Sequence, residues 1–390
     1  MSSSSLTEKL TRPLKVAQKI METPEACTLV LEIPPENRSE FNYKPGQFVT
    51  FFMDIDGEEI KRSYSLSTTP LVDSEFKVTI KRVPKGKGST FLVDRIKEGE
   101  TLKTTPPQGQ FFKMPADLQP RHYFLYAGGS GITPIFSILK TVISMNPQNQ
   151  VTLLYCNRGE DNIIYRQELE DWKSKHGDRF TLVHQLSQPS SAWAGAQGRV
   201  DERILTQLIS EARGKNLSGP SGQLPEEHYL CGPTSFMELI REQLTQIHKV
   251  KPELIHIESF GLPMPPASAS ATPSSQVEDE VEDEDLTYIG QPKVPGEQPQ
   301  VIVALLNGET CEVTANPDES ILETLINAGF NPPYSCMEGA CMACMAKVIE
   351  GRVVQDDPGI LTEENISACE ALTCQARPLS RRVQVDYDNL

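Results

Sequence analysis

Four cysteines near the C-terminal end of this 390-residue chain constrain what it can fold around. They read C-x4-C-x2-C at Cys336, Cys341 and Cys344, and after 29 further residues comes Cys374. This is the plant-type ligand spacing of a [2Fe–2S] cluster, with three thiolates on one tight loop and the fourth on a remote segment. Gly339, Ala340 and Ala343 are small enough for that loop to curl around two iron atoms. Other cysteine chemistry fits less well. A structural zinc site pairs one C-x2-C with another, or with histidines, and no histidine follows His256. A disulfide framework calls for an oxidising compartment. Met1 to Lys9 lacks the apolar stretch of a signal peptide and the cysteines number nine, so the expectation is a cytoplasmic protein. Cys311 and Cys369 fall outside the spacing and read as ordinary packed or surface thiols.

The chain is long enough for two or three domains, and no run of 18 apolar residues is present to span a membrane. Its net charge of −16 is unevenly placed. Residues 1–261 are neutral, with 31 acids and 31 bases; residues 262–298 carry 8 acids against one base; residues 299–390 carry 14 acids against 5 bases. An acidic cluster-bearing end argues against nucleic acid as a partner. It suits docking on a basic face of another protein, and equally it aids solubility.

Residues 10–116 read as short strands, among them Cys27 to Ile33, Gln47 to Met53, Lys61 to Ser65 and Phe76 to Val83, and predict a β-barrel. Residues 117–261 alternate strands such as His122 to Ala127, Gln150 to Cys156 and His228 to Cys231 with helices over Pro134 to Ile143 and Pro233 to Ile247. That alternation predicts a doubly wound parallel α/β sheet. Residues 262–298, rich in Pro and Ser and carrying seven acids within Glu278 to Asp285, predict a disordered acidic linker. Such a tether leaves the following domain mobile. Residues 299–390 predict a small α+β domain of β-grasp type. Its strands flank an Asn307-Gly308 turn, and its helix opens on the capping box Ser320-x-x-Glu323 and stops at Gly329.

Arg62-Ser63-Tyr64-Ser65 closes a predicted strand with a cation, an aromatic face and a hydroxyl, the groups a flavin needs at its pyrophosphate, its ring and its N5. Gly86-Lys87-Gly88-Ser89 is a turn whose backbone N–H groups can cradle a diphosphate, or an ordinary glycine turn. Gly128-Gly129-Ser130-Gly131-Ile132-Thr133-Pro134 joins a strand to a helix, and Cys231-Gly232-Pro233 repeats that geometry later. Neither is the common dinucleotide fingerprint. After the second strand of this domain, Arg158 would pair with the 2′-phosphate of NADPH, whereas Glu160 or Asp161 would accept from the free hydroxyl of NADH. The residues leave that choice open.

Taken in order, Pro45-Gly46-Gln47, Arg62-Ser63-Tyr64-Ser65, Gly86-x-x-Ser89, Gly129-x-Gly131-Ile132-Thr133-Pro134, Cys231-Gly232-Pro233 and the four cluster cysteines resemble the ferredoxin–NADP reductase superfamily. The resemblance covers nearly the whole chain. It is to the subgroup with a C-terminal plant-type ferredoxin, the reductase components of phenylacetyl-CoA epoxygenases and related oxygenases. It implies an NAD(P)H-dependent oxidoreductase that passes electrons through a flavin to the cluster, and on to an oxygenase or desaturase. It implies that Arg62 and Ser89 bind flavin phosphate, that Tyr64 stacks on the flavin, that Ser65 faces N5 and that Phe260 covers the flavin's other face. Gly129, Gly131 and Thr133 would bind the nucleotide, with Cys231 beside the nicotinamide. Ser63, Lys81, Gly86, Gly88, Arg158, Gly232 and Pro233 complete the expected cofactor contacts. Pro107-Gln108-Gly109-Gln110-Phe111 is more similar to FAD-binding than to FMN-binding members. Rival readings are a reductase for a non-oxygenase acceptor such as a hybrid-cluster protein, and a redox-sensing adaptor.

Overall fold

The computed structural model describes residues 10–117, 119–215, 224–258, 286–290, 300–306, 308–316, 319–334, 337, 339, 342–356, 361 and 363–389. The chain divides into two compact units, residues 7–259 and residues 260–390 with the first six residues.

The first unit opens with six antiparallel strands: β1 (Arg12–Thr23), β2 (Ala26–Glu32), β3 (Phe48–Ile55), β4 (Glu58–Ser65), β5 (Phe76–Lys81) and β6 (Thr101–Thr104). They lie in the order β4-β3-β6-β1-β2-β5. A bridge from Leu66 to Val78 joins the two edges and closes the barrel. Leu14, Leu29, Val49, Phe51, Val78 and Ile80 fill it from inside. This inward set follows the two-residue alternation of a strand.

The parallel sheet follows: β7 (His122–Gly128), β8 (Gln150–Asn157), β9 (Phe180–Leu186), β10 (Ala196–Gln197), β11 (Glu226–Cys231) and β12 (Ile255–Glu258). Its order is β10-β9-β8-β7-β11-β12. The chain leaves β7 in one direction and returns to its other side, so β7 and β11 flank a topological switch point. In open α/β sheets such a crevice, at the carboxyl ends of the strands, is where ligands bind. The helices are α1 (Ile132–Met145), α2 (Arg166–His176), α3 (Glu202–Lys215) and α4 (Thr234–Gln246).

Helix α1 is buried along Ile132 to Ile143, because it packs on the sheet and on the barrel together. Toward the barrel, Ser137 Oγ donates to the Thr68 carbonyl at 2.6 Å, and Thr141 Oγ1 donates to Thr69 Oγ1 at 2.8 Å. Between them the Lys140 ammonium, 6% exposed, meets Asp73 at 2.6 Å. Tyr165 donates to Thr79 of β5 from the N-terminal end of α2.

The second unit contains a five-stranded sheet ordered β15-β14-β20-β16-β18 and a three-stranded sheet ordered β13-β17-β19. The strands are β13 (Leu286–Gly290), β14 (Val301–Leu306), β15 (Glu309–Thr314), β16 (Met345–Glu350), β17 (Arg352–Asp356), β18 (Glu370–Leu372), β19 (Ala376–Pro378) and β20 (Arg382–Asp386). The parallel pairing of β14 with β20, inside an otherwise antiparallel arrangement, gives a β-grasp. Helix α5 (Ile321–Asn327) begins on the Ser320–Glu323 capping box.

One expectation from the sequence is corrected here. Composition predicts an unfolded stretch throughout residues 262–298, yet Leu286–Gly290 forms β13, paired antiparallel with β17 from Leu286 opposite Asp356 to Gly290 opposite Arg352. Ile289 enters the core of this unit. The Leu-Thr-Tyr-Ile segment is β-prone and amphipathic, but an average over 37 acidic and Pro-rich residues hides it. The acidic run Glu278 to Asp285 itself lies outside the described residues. Among the described residues no helix is long and apolar enough to cross a membrane.

Removing Asp73 would leave the Lys140 ammonium buried without its carboxylate, at a cost of about 3 kcal/mol. Urea unfolding of Asp73→Ala should show that loss, and Lys140→Met in the same chain should recover part of it. Equal losses in the single and double variants would remove the pair from the interface.

Candidate redox sites

Along β4, neighbouring side chains point to opposite faces, so Arg62 and Tyr64 share one face and Ser63 and Ser65 the other. Tyr64 lies against Phe51 with ring centroids 5.6 Å apart. Ser63 Oγ is 2.9 Å from Thr50 Oγ1, which ties the second face to the barrel wall. The Gly86–Ser89 turn comes down on Arg62, and a Cβ on Gly88 would sit 2.9 Å from Arg62 Cγ. Arg62 and Tyr64 therefore share one face of β4, and the Gly86–Ser89 turn packs against Arg62 there. Ser89 Oγ accepts from Val83 N at 3.0 Å, so its hydroxyl also holds the turn together.

Ser65 ends β4 and is buried, its hydroxyl directed at Glu258 Oε2 across 3.4 Å. Glu258 ends β12 directly opposite Cys231, the last residue of β11. Ser65, Glu258 and Cys231 thus meet where the barrel touches the switch point of the sheet. Cys231 has no exposed surface, and burial first, then the Glu258 charge, pushes its thiol well above the ordinary range. It is a neutral thiol there, fit to pack against a ring and unfit to act as a thiolate nucleophile. Sequence reasoning does not single out Glu258. The sign available is its place at the end of the last strand of the sheet, beside Ser259 and Phe260, both of which lie outside the described residues.

The two strand–turn–helix corners interlock. A Cβ on Gly131 would lie 2.1 Å from the Cys231 carbonyl oxygen, and one on Gly128 would lie 2.7 Å from Pro233 Cδ. Gly232 passes Gly128 equally closely, its own added Cβ falling 3.0 Å from the Gly128 Cα. Gly129 takes a left-handed φ of 55°, and a Cβ there would be 3.6 Å from the Lys81 ammonium. Thr133 Oγ1 donates to the Ser130 carbonyl at 3.1 Å and fixes the entry to α1. Burial lowers the pKa of Lys81, Glu25 opposes this and Arg158 adds to it. Lys81 and Arg158 together therefore make the space over the Gly129 turn positive, which suits a nucleotide phosphate. Arg158 is exposed at the end of β8. Glu160, in contrast, accepts from Ser190 N at 3.1 Å and from Ser190 Oγ, and the second of these bonds is the main reason its pKa is lowered.

In the second unit, Cys344 and Cys374 are buried, while Cys336 and Cys341 lie outside the described residues. Among the described residues near the first three cysteines, Met337, Gly339 and Met342 take left-handed φ of 60°, 74° and 57°. Left-handed conformations are costly for methionine and persist where surrounding structure imposes them. Turns of this kind gather N–H groups into a concavity for anions, as the sulfides and thiolates of a cluster would need. Thr373 Oγ1 donates to the Cys344 carbonyl at 2.7 Å and accepts from Tyr387 OH at 2.8 Å. This fastens the segment bearing Cys374 to the segment bearing Cys344. Cys311 donates to the Ala304 carbonyl, and Cys369 packs at the edge of the core.

A flavin-type barrel joined to a doubly wound nucleotide sheet, followed by a β-grasp with Cys344 and Cys374 buried on segments fastened together, defines a three-domain electron-transfer flavoprotein. Family models agree: an oxidoreductase FAD-binding domain matches residues 13–112, an oxidoreductase NAD-binding domain residues 125–242, and a 2Fe-2S iron-sulfur cluster binding domain residues 304–379. The chain is 31% identical to the ferredoxin reductase component of 3-ketosteroid-9-alpha-monooxygenase from Rhodococcus rhodochrous, over 96% of both chains. It is also 31% identical to one component of the 1,2-phenylacetyl-CoA epoxidase of Escherichia coli K12, over 96% of this chain and 97% of that one. The solved structure of phthalate dioxygenase reductase shares its fold, with a TM-score of 0.57 and 21% identity over 98% of this chain and 100% of that one. The chain belongs to the oxygenase reductases of the ferredoxin–NADP reductase superfamily, which carry FAD, an NAD(P)H site and a [2Fe–2S] cluster.

Because the Gly131 corner has no room for a methyl group, Gly131→Ala should cost about 1–3 kcal/mol or more. It should weaken nucleotide-dependent turnover together with stability. Normal thermal unfolding and normal kcat/KM in that variant would show that the corners are not interlocked.

Proposed function

We propose that this chain is the reductase component of an oxygenase, taking hydride from NAD(P)H and delivering single electrons through its [2Fe–2S] domain to the oxygenase. The observation that carries this reading most directly is the meeting of Ser65, Cys231 and Glu258 at the switch point, one residue along β4 from Tyr64. Bound FAD supplies the conversion of a two-electron hydride into single electrons, and the cluster supplies a one-electron carrier. Arg62 and the Gly86–Ser89 turn hold the flavin pyrophosphate, and Tyr64 supports its ring. Ser65 donates its one hydroxyl proton to Glu258, which fixes the hydroxyl and leaves its oxygen as an acceptor facing N5. The neutral Cys231 thiol walls the nicotinamide side; Phe260, expected over the flavin face away from Tyr64, lies outside the described residues. The Gly129–Gly131 turn, Thr133, Gly232, Pro233 and Lys81 take the nucleotide diphosphate. Cys336, Cys341, Cys344 and Cys374 hold the cluster.

Named relatives serve oxygenases acting on a 3-ketosteroid, phenylacetyl-CoA and glycine betaine. Substrate choice accordingly rests with the acceptor. The acidic residues 299–390 fit an acceptor with a basic docking face.

For the donor, the reading is NADPH. Glu160 is engaged with Ser190, Asp161 is an exposed rival for the free hydroxyl, and Arg158 is exposed beside the positive space over the Gly129 turn. Arg158→Ala should raise the KM for NADPH about tenfold, the worth of one charge-assisted hydrogen bond, and leave the KM for NADH in place. Equal effects on both nucleotides would reject the phosphate contact.

Cys374→Ser tests the relay as a whole. The variant should keep its flavin and its NAD(P)H–ferricyanide activity, lose the native iron–sulfur spectrum, and lose most reduction of cytochrome c. Cys369→Ser is the control and should leave all of these as they were. Full cytochrome c reduction by Cys374→Ser would place the cluster outside the path.

A further inference from the structure

The amide of Gln375 sits where it can act on the cluster rather than only on the fold. Its Nε2 lies 3.5 Å from Cys374 Sγ, 3.1 Å from the Cys374 carbonyl and 3.3 Å from the Met337 carbonyl. Two carbonyl oxygens and a sulfur are all acceptors, so the NH2 end of the amide must face them. Turned over, the amide oxygen would meet two other oxygens with no proton between them. The sulfur here stands for a thiolate ligand, which is a stronger acceptor than a thiol.

The segment carrying Gln375 has little freedom to swing. The Thr373 carbonyl accepts from Leu322 N at 2.9 Å, and Leu372 N donates to the buried Gln355 Oε1 at 2.9 Å. Gln375 N donates to the Leu372 carbonyl at 2.8 Å, and the Tyr387–Thr373–Cys344 chain holds the other flank. The same Gln375 amide also reaches across to Met337, in the loop of the first three cysteines. One side chain therefore links the remote ligand segment to that loop: one of its two N–H groups goes to Met337, and the other is shared between the Cys374 carbonyl and the ligand sulfur.

We infer that Gln375 is a positioning residue that raises the reduction potential of the [2Fe–2S] centre by donating a hydrogen bond to the Cys374 sulfur. This rests on the cluster assignment made above. Hydrogen bonds to cluster sulfurs are among the factors that set its potential. A donor at the sulfur offsets negative charge, and the reduced cluster carries one more negative charge than the oxidised cluster. The bond therefore stabilises the reduced form more, and electrons move more readily from flavin to cluster.

The test is the midpoint potential of the cluster, followed by its paramagnetic signal in redox titrations of the full-length holoprotein. Gln375→Met keeps the length of the side chain without charge and without a donor. Iron content should stay the same, and the one-electron equilibrium should shift at least threefold against cluster reduction. That shift equals about 28 mV at 59 mV per tenfold for a one-electron couple. Tyr387→Phe cuts the brace without touching the sulfur, and its potential should stay within that limit. A shift in Gln375→Met below threefold, or an equal shift in Tyr387→Phe, overturns the inference. Wild-type protein labelled with 15N in glutamine side-chain amides gives a measurement that needs no variant. The reduced cluster should show a 15N hyperfine coupling, and its absence overturns the inference even if Gln375→Met fails to retain iron. Wild-type protein without a [2Fe–2S] signal would instead sink the cluster assignment itself.

Discussion

The close passage of two backbone corners, Gly128–Gly131 after β7 and Cys231–Pro233 after β11, is what the rest of the nucleotide unit is built around. An added Cβ at Gly131 would come 2.1 Å from the Cys231 carbonyl oxygen, so the corners approach to backbone contact. This draws the carboxyl ends of β7 and β11 together and brings Glu258, opposite Cys231, to the edge of the barrel. A looser corner would leave Ser65 facing solvent. The glycines are therefore packing elements as much as phosphate-binding ones, and the two uses come from the same lack of a side chain.

Helix α1 carries that geometry into the barrel. Its apolar residues Ile135, Leu139, Val142 and Ile143 join the sheet core, while Ser137, Lys140 and Thr141 turn toward the barrel loop of Thr68 to Asp73. A polar stripe buried in this way is costly unless every group is paired. Here hydroxyl meets carbonyl, hydroxyl meets hydroxyl and ammonium meets carboxylate. Pairing of this kind fixes register, because a shift of one helical turn would strand each group without its partner. The flavin strand and the nucleotide corners are thereby held in one frame.

Much of this is legible in the sequence, and what is not legible has a physical cause. The barrel strands, the parallel sheet and helix α1 follow from periodicity, and the C-x4-C-x2-C spacing marks the stretch in which Met337, Gly339 and Met342 take left-handed φ. Ser65 and Glu258 are 193 positions apart, and no local pattern announces that contact. Cys231 reads locally as a small buried residue, and it is one; its place beside Ser65 and Glu258 emerges only from strand order. Arg158, Glu160 and Asp161 are all candidates in the sequence, and only the fold gives Glu160 to Ser190. Strand β13 is hidden because four β-prone residues follow seven acids, and composition is a property of windows while pairing is a property of edges.

That strand has a consequence for where this protein can be cut. A fragment begun at residue 299, where composition changes, would lack β13. The outer edge of β17 would be bare, and a gap would remain where Ile289 enters the core. Bare strand edges recruit other chains, so such a fragment would tend to self-associate, and its behaviour would be mistaken for a property of the ferredoxin domain. The covalent span between the units runs from the end of β12 at Glu258 to the start of β13 at Leu286. Twenty-seven residues lie between them, and a chain of that length spans at most about 90–97 Å.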